Sequence, residues 1–209
     1  MNLLTSFQPI IDERSRILIL GSMPGVESLR LQQYYANPRN QFWKILYELF
    51  NTQASQVYEE RVSFIKSRKI AVWDVIGNCY REGSLDSSIR EEKVNDFSAL
   101  FKAYPNIKTV MFNGGKAYET YKKWIGFGSI PNLTFQRLTS SSPANTKKYE
   151  EKLREWGVIE DPGIFQVSHV PRSNRQIVLQ SCQNVRYTRV PIVVPLCAVV
   201  LGQYLDFFW

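Results

Sequence analysis

The chain has 209 residues, of which 44% are hydrophobic and 22% are charged, a balance typical of a folded globular protein and unlike a disordered or fibrous one. Its three scattered cysteines are too few for a disulfide framework or a zinc site, and no signal peptide is recognisable, so we expect a cytoplasmic, intracellular protein. The net charge of +7 favours a polyanionic partner such as nucleic acid, although a generically basic surface explains it equally well.

Four short β-rich runs alternate with segments of helical spacing along the chain. The predicted strands are Arg16–Leu20, Ile70–Val75, Thr109–Phe112 and Leu133–Leu138. Helices are predicted from Asn40, over Tyr58–Lys66, over Asn95–Ala103, after Asn113-Gly114-Gly115, and from Ser142 onward, whereas Gly77–Arg90 is predicted to be a long loop. Because strands joined by helical crossovers form parallel sheets, we predict an α/β fold, a three-layer α/β/α sandwich with a central four-stranded parallel sheet.

The end of the chain differs from the rest. We predict one domain over residues 1–162 and a tail over residues 163–209, which carries four arginines, one aspartate and no lysine or glutamate. The apolar stretch Val190–Leu201 is interrupted by two prolines and is shorter than the roughly 20 residues that a membrane span needs. The sequence leaves three interpretations of this tail open: it docks on a sheet edge, it binds a partner, or it does not fold well.

The unusual residues follow the predicted strands. In a parallel sheet the loops at the carboxyl ends of the strands form the ligand site, and here those loops begin at Gly21, Gly77, Asn113 and Thr139. The first loop combines a glycine turn, two adjacent tyrosines and several short amides. Since these groups supply backbone donors, a stacking surface and directed hydrogen bonds, the loops predict one site for a planar polar ligand.

Three motifs carry a family resemblance. GSMPG at 21–25, YYANPRNQFW at 34–43 and SSPAN at 141–145 together resemble the hypoxanthine-DNA glycosylase (DNA-deoxyinosine glycosylase) family of the uracil-DNA glycosylase superfamily. The segments WDV at 73–75, REGSLD at 81–86 and FNGGKA at 112–117 agree with it, and the match covers about residues 7–157. The resemblance implies a monofunctional enzyme of base excision repair. Such an enzyme flips out a deaminated base, hypoxanthine or uracil, and hydrolyses its N-glycosidic bond to leave an abasic site.

The resemblance also implies roles for individual residues. It gives the catalytic amide to Asn40, which alternatively caps the helix that follows, and the stacking face for the flipped base to Tyr35. The implied base-binding residues are Gly21, Ser22, Met23, Pro24, Gly25, Tyr35 and Asp74. Ser22 or Met23 stands where the superfamily often has an Asp or Asn that positions water, and neither can replace a carboxylate as a base. Asp74 is expected to orient Asn40 or a water, or to cap a turn.

The remaining implied residues contact the DNA backbone. They are Arg81, Lys116, Ser141, Ser142, Pro143 and Asn145. With Ser142 as cap and Pro143 in the first turn, the last helix would present free N–H groups and its dipole to a phosphate, while Asn145 enters the duplex or the pocket. For Lys116, a solvated surface position is the equal alternative.

The sequence also indicates what the protein lacks. It has no histidine in the last motif, no four-cysteine set for an iron–sulfur cluster and no lysine in a helix-hairpin-helix signature, so we expect no metal, no cofactor and no Schiff-base nucleophile. The expected partner is DNA containing deaminated bases, without a membrane, and the protein is expected to act as a monomer. A non-catalytic nucleic-acid-binding module on the same fold is the main alternative, and a nucleoside hydrolase is a third.

Overall fold

The computed structural model describes residues 3–160, which form two sheets and the helices around them. The strands in this range are β1 (Leu3–Thr5), β2 (Ile17–Gly21), β3 (Ile70–Asp74), β4 (Ile76–Tyr80), β5 (Arg90–Val94), β6 (Thr109–Asn113) and β7 (Thr134–Leu138). The helices are α1 (Val26–Leu31), α2 (Phe42–Leu49), α3 (Tyr58–Ser67), α4 (Phe97–Ala103), α5 (Gly115–Trp124) and α6 (Tyr149–Trp156), with short 3-10 turns at Asp86–Ser88 and Gly157–Ile159.

The larger sheet has the strand order β3-β2-β6-β7, and every pair in it is parallel. Its strands are joined through helices, as the alternation of apolar runs and helical spacing predicts. All residues of β2 and β3 are buried, because a strand in a parallel sheet that is covered on both faces is apolar on both of its sides. The predicted four-stranded parallel sheet flanked by helices is therefore confirmed.

The register of this sheet brings four strand ends to one edge. Gly21 at the end of β2 pairs with Asp74 at the end of β3, and Asn113 at the end of β6 pairs with Leu138 at the end of β7. Since β2 and β6 are themselves neighbours, the residues that follow all four strands lie side by side. This alignment places the predicted site loops at a common edge.

A cluster of aromatic side chains packs next to this edge of the sheet. The ring of Phe42, the first residue of α2, is fully buried between Tyr35 and the indole of Trp156, which is also fully buried. The apolar face predicted for this helix is confirmed, with Ile45, Leu46 and Leu49 buried beside Phe42. Because Phe42 comes two residues after Asn40, the packing of α2 fixes the position of that amide.

The second sheet was not predicted. It is antiparallel, with the order β1-β4-β5, and two of its strands occupy the region predicted to be the long loop Gly77–Arg90 and its continuation. The prediction was wrong because β4 contains Gly and Asn, which disfavour strands, and β5 reads REEKV, whose mostly exposed charges hide any alternation. The irregular segment between β4 and β5 is therefore shorter than predicted.

The last helix also begins later than predicted. Its first residue is Tyr149, so Ser142 is not its cap and Pro143 does not lie in its first turn. The Ser142 hydroxyl accepts a hydrogen bond from the backbone N–H of Ala144 at 3.2 Å, and the Asn145 side chain accepts one from the N–H of Lys147 at 2.9 Å. Such local bonds compete with helical ones and keep the segment irregular.

The predicted tail, residues 163–209, lies outside the described residues, so the predicted domain boundary stays a prediction. Within residues 3–160, no helix is long and apolar enough to cross a bilayer.

Candidate functional site

A cavity of about 820 Å³ opens at the carboxyl edge of the parallel sheet. Its lining comes from the turn after β2, the segment before α2, the ends of β3 and β6, and the loop after β7. The predicted site residues that line it are Gly21, Ser22, Met23, Pro24, Gly25, Tyr35, Asn40, Asp74, Ser141, Ser142, Pro143 and Asn145. Residues from the three sequence motifs thus converge on one cavity, while Arg81 and Lys116 lie outside its lining.

The turn after β2 is tied to the segment between β4 and β5. The Ser22 hydroxyl donates to the Asp86 carboxylate at 2.7 Å, and the backbone N–H of Val26 donates to the Ser84 hydroxyl at 2.9 Å. The Ser22 side chain is therefore used to hold two loops together, which agrees with its inability to act as a base. Residues 84–87 line the cavity as a consequence. They were not among the predicted site residues, although the loop that begins at Gly77 was expected at the site.

Arg81 supports the same turn from inside the protein. Its side chain is only 4% exposed, and its guanidinium donates a hydrogen bond to the backbone carbonyl of Pro24. The predicted contact between Arg81 and DNA is not supported, because a buried guanidinium that binds the turn cannot also reach a phosphate. Arg81 instead stabilises the shape of the turn that lines the cavity.

Met23, like Arg81, stabilises the turn after β2. Its side chain is buried and packs with Ile76, Cys79 and Ile89 into a small core beneath the second sheet. The contribution of Met23 to the cavity is therefore mainly its backbone, and the thioether anchors the turn to the second sheet.

Asp74 is a buried carboxyl group at the floor of the cavity. It is 3% exposed, and its Oδ2 accepts a hydrogen bond from the Ser6 hydroxyl at 2.9 Å. Burial raises the pKa of Asp74 to about 7, although the Ser6 hydrogen bond and the Arg81 charge both favour the ionised form. Asp74 therefore changes its charge near neutral pH, a property that is concentrated at functional sites.

Gly21 allows the cavity floor to be this tightly packed. A Cβ atom at this position would lie 2.5 Å from Asp74 Oδ1 and 3.2 Å from the Tyr35 hydroxyl oxygen. The carboxyl group and the phenol thus approach the backbone of β2 together. The Tyr35 hydroxyl is buried and has no hydrogen-bond partner among residues 3–160.

The ring of Tyr35 forms one wall of the cavity. It stacks on Phe42 with 3.7 Å between ring centroids and an angle of 15° between the planes, which covers one of its two faces. The residue is partly exposed and lines the cavity, so the opposite face is the accessible one. Its backbone has a φ of 54°, in the left-handed region that an aromatic residue rarely adopts, and such strain is often found at binding sites.

Asn40 presents one end of its amide to the cavity. Its Oδ1 accepts two hydrogen bonds, from the backbone N–H of Phe42 at 3.0 Å and from the Ser141 hydroxyl at 2.9 Å. Within residues 3–160 the Nδ2 group has no acceptor, and it is the end left for a ligand. The alternative role predicted for Asn40, the cap of the helix, is not found, because Gln41 is the cap residue of α2. The bond from Phe42 is a local turn contact, and it leaves the donor of the amide free. No hydrogen bond joins Asp74 to Asn40 in the described part of the chain, so the predicted orientation of this amide by Asp74 is not found.

The loop after β7 divides into a buried and an exposed part. Ser141 is fully buried and bonds to Asn40, so it cannot grip a DNA backbone directly as predicted. Pro143 is exposed, and Ser142 and Asn145 are partly exposed, at the rim of the cavity, which leaves these three available for DNA. The buried ammonium of Lys152 anchors this rim by donating to the backbone carbonyl of Asn145 at 2.9 Å.

Two cationic side chains, Lys116 and Arg39, are not placed as the sequence analysis expected. The Lys116 ammonium pairs with the Glu92 carboxylate, and Lys116 does not line the cavity, so the structure gives no support to a phosphate contact there. Arg39 was not singled out from the sequence, yet it is exposed at the cavity and is the cation among its lining residues. The sequence signal that could have identified Arg39 was its place in the polar Asn-Pro-Arg-Asn segment.

Among residues 3–160, no group of three or more His, Cys, Asp or Glu side chains is arranged to hold a metal ion. The predicted site residues bring to the cavity the amide of Asn40, the carboxyl of Asp74, the aromatic ring of Tyr35 and the backbone of the glycine turn.

Comparisons with known proteins show the family of the chain. The family model of the uracil DNA glycosylase superfamily matches residues 8–161. A protein named hypoxanthine DNA glycosylase from Methanosarcina barkeri is 39% identical over 153 residues, which are 72% of this chain and 93% of the relative. One of the same name from Methanosarcina acetivorans is 38% identical over 156 residues, 73% of this chain and 95% of the relative.

A solved structure shares the fold. The solution NMR structure of a candidate uracil DNA glycosylase from Methanosarcina acetivorans superimposes with a TM-score of 0.65 and 36% identity, covering 76% of this chain and 99% of that one. The α/β/α fold and the family resemblance expected from the motifs are thereby confirmed. The chain belongs to the uracil DNA glycosylase superfamily.

Proposed function

We propose that this DNA glycosylase removes hypoxanthine from DNA by hydrolysing the N-glycosidic bond of deoxyinosine, and that uracil is a second candidate base. The observation that carries the proposal is the free Nδ2 donor of Asn40, held in one cavity with the accessible face of the Tyr35 ring. The names of the two Methanosarcina relatives support hypoxanthine as the base. A cavity of about 820 Å³ is large enough for a flipped purine nucleotide.

Binding begins when the nucleotide leaves the duplex. The base stacks on the face of Tyr35 that Phe42 does not cover, and the backbone of the Gly21–Gly25 turn approaches its edge. Ionised Asp74 accepts a hydrogen bond from N1–H of hypoxanthine, a proton that adenine lacks. The exposed cation Arg39 and the rim residues Ser142 and Asn145 hold the DNA backbone outside the cavity.

Bond cleavage then requires stabilisation of two developing charges. The C1′–N9 bond breaks, its electron pair goes to the purine, and the sugar becomes an oxocarbenium-like centre to which a water adds. Asn40 Nδ2 donates to an acceptor of the departing base, together with backbone N–H groups of the turn, and so stabilises its negative charge. The proton lost by the water passes to the base or to solvent, and the products are free hypoxanthine and an abasic site.

The direct test is incubation with an end-labelled duplex containing one deoxyinosine, followed by alkali. A glycosylase without lyase activity gives a strand break only after the alkali treatment. Matched duplexes with deoxyuridine and deoxyadenosine at the same position define the preferred base. Binding of the inosine duplex without any alkali-labile product would favour the non-catalytic binding module instead.

The stacking role of Tyr35 predicts different outcomes for two substitutions. Tyr35→Leu should weaken binding of the inosine duplex by about 5- to 150-fold, since stacking on an aromatic is worth about 1–3 kcal/mol per base. Tyr35→Phe keeps the ring and removes only a hydroxyl that has no partner in the described residues, so its stacking contribution should persist. Both are compared by fluorescence anisotropy in an Asn40→Ala background. Equal binding by the two variants would remove Tyr35 from the base site.

The two cations predict different salt dependences of DNA binding. Arg39→Ala should reduce the slope of log K against log salt by about 0.9, the value for one lost phosphate contact. Lys116→Ala should leave the slope unchanged, because its ammonium is paired with Glu92 away from the cavity. The measurement is a series of binding titrations between low and physiological salt. A reduced slope for Lys116→Ala alone would restore the contact predicted from the sequence.

The same arrangement supports a monomeric enzyme. One extruded nucleotide needs only one cavity of the kind described. Since the substrate is genomic DNA, we place the protein inside the cell with that DNA.

A further inference from the structure

A chain of hydrogen bonds connects three elements behind the proposed active site. Asn113, at the end of β6, donates from Nδ2 to the Ser141 hydroxyl oxygen at 2.8 Å. The Ser141 hydroxyl, in the loop after β7, donates to Asn40 Oδ1 at 2.9 Å. Asn40 precedes α2, so the contact joins residues that are 101 positions apart in the sequence. None of these bonds could be read from the SSPAN motif alone.

Backbone N–H groups at both ends fix the direction of this chain. The N–H of Ser141 donates to Asn113 at 2.8 Å, and the N–H of Phe42 donates to Asn40 at 3.0 Å. An N–H group can donate only to the oxygen of an amide, so each contact identifies the oxygen end of its asparagine. Turning either amide over would place its NH₂ group against a backbone N–H. The Asn113 nitrogen therefore faces the Ser141 hydroxyl, whose single proton goes to Asn40.

The buried position of Ser141 fixes the orientation of the Asn40 amide. The residue is fully buried, so no solvent competes for its hydroxyl, and its backbone carbonyl accepts a further hydrogen bond from the N–H of Gln41 at 3.0 Å. Asn40 Oδ1 then has two donors, which occupy both of its lone pairs. What remains of the amide is the Nδ2 group on the cavity side.

We propose that Ser141 and Asn113 are positioning residues that hold the Asn40 amide with its Nδ2 donor directed at the leaving base. The inference rests on the proposed function and deepens it. It assigns Ser141 to the alignment of the catalytic amide and not to the DNA backbone. The competing explanation is that Ser141 merely fastens the loop after β7 to the start of α2, in which case its loss would lower stability without a specific effect on the chemical step.

Single-turnover kinetics on the deoxyinosine duplex separate the two explanations. Ser141→Ala should lower the rate of base release by about 10- to 100-fold, the size of effect expected when a reacting group is misplaced by a fraction of an ångström to about 1 Å, with Kd for DNA changed less than about threefold. Ser15→Ala is the matched control, because Ser15 is equally buried, accepts from and donates to Asp12, and precedes β2 at the opposite edge of the sheet. Its rate should equal that of the wild type.

Asn113→Asp tests the direction of the chain in a nearly isosteric variant. The new carboxylate oxygen takes the proton of the Ser141 hydroxyl, which then no longer donates to Asn40. The rate should fall as it does for Ser141→Ala, and the double variant should be no slower than the slower single one, because both changes remove the same hydrogen bond. Additive losses would mean that Asn113 acts on the substrate by another route.

A spectroscopic measurement makes the inference independent of turnover. In protein labelled with ¹⁵N-asparagine, the Asn40 side-chain resonance is identified by its absence in Asn40→Ala. It should shift in Ser141→Ala and stay in place in Ser15→Ala. An inactive wild type would overturn the proposed function, and the resonance would then decide the orientation by itself. An active wild type with an unaffected Ser141→Ala rate, or an unmoved resonance, would overturn the positioning role.

Discussion

Asn40→Ala should lower the single-turnover rate on a deoxyinosine duplex by about 10²- to 10³-fold, the loss that follows removal of one preorganised donor from a developing anion. The expectation follows from the geometry of the amide, whose oxygen is occupied by Phe42 and Ser141 and whose nitrogen faces the cavity. Because the alanine variant also loses the hydrogen bond from the Phe42 N–H, it should be less stable by about 1 kcal/mol. Thermal denaturation measures that part separately.

The control for this variant is Asn106→Ala. Asn106 donates to the backbone carbonyl of Glu13 and precedes β6, at the amino edge of the sheet and away from the cavity. It should keep the full rate. A slow Asn106→Ala variant would show that loss of activity reflects general destabilisation and not the chemistry of Asn40.

Asn40→Asp distinguishes two ways in which this residue could act. The carboxylate can still accept from Phe42 and Ser141, but it places a negatively charged oxygen where the donor was. If Asn40 donates to the leaving base, this variant should be about as slow as Asn40→Ala at pH 8. Its rate relative to the wild type at the same pH should recover partly at low pH, where the carboxyl regains a proton. A rate equal to or above that of the wild type at pH 8 would instead mean that the residue activates water.

The position of the site was predictable because it depends on strand order and periodicity. Buried parallel strands such as β2 leave a strong apolar signal, and the carboxyl ends of such strands meet at one edge whatever the details of the loops. The residues at those ends, Gly21, Asp74 and Asn113, therefore could be placed together from the sequence. The stacking role of Tyr35 was predicted from the family resemblance and stays a prediction.

The roles of individual residues within the site were less predictable, because they depend on contacts between residues far apart in the chain. Nothing local to Arg81 indicates that its guanidinium is buried against Pro24, and nothing local to Ser141 indicates its bond to Asn40. The strand β5 was missed because its charged residues face solvent on a small sheet, where burial does not impose a pattern. Polar loop residues can support a turn, bind a ligand or do both, and only their partners decide which.

Asp74→Asn should stabilise the protein at pH 8 by on the order of 4 kcal/mol and have little effect at pH 4, because the variant lacks the buried charge. Burial raises the pKa of Asp74 from its ordinary value of 3.8 to about 7, so the folded state binds the proton more tightly than the unfolded state. The contribution of Asp74 to wild-type stability should therefore fall as pH rises from about 4 to about 7 and then level off. The asparagine oxygen can still accept from the Ser6 hydroxyl.

The measurement is the difference in free energy of unfolding between variant and wild type at several pH values, in which contributions from all other groups cancel. Asp12→Asn is a control of opposite sign. Burial would raise the pKa of Asp12, but its hydrogen bonds and the Arg14 charge hold that pKa below its usual value, so this variant should lose stability above pH 4 and not below. A difference for Asp74→Asn that does not vary with pH would contradict the raised pKa.

Activity measurements on the wild type and on Asp74→Asn test whether the destabilising carboxyl group of Asp74 has a function. If ionised Asp74 accepts N1–H of hypoxanthine, the wild-type kcat/KM should fall below about pH 7, and Asp74→Asn should be slower and lose that dependence. The variant would then be more stable and less active, which is the relation expected when a protein retains strain or a buried charge for function. A variant that is more stable and fully active would remove Asp74 from base recognition, and would leave the Tyr35 ring and the Asn40 donor to select the base.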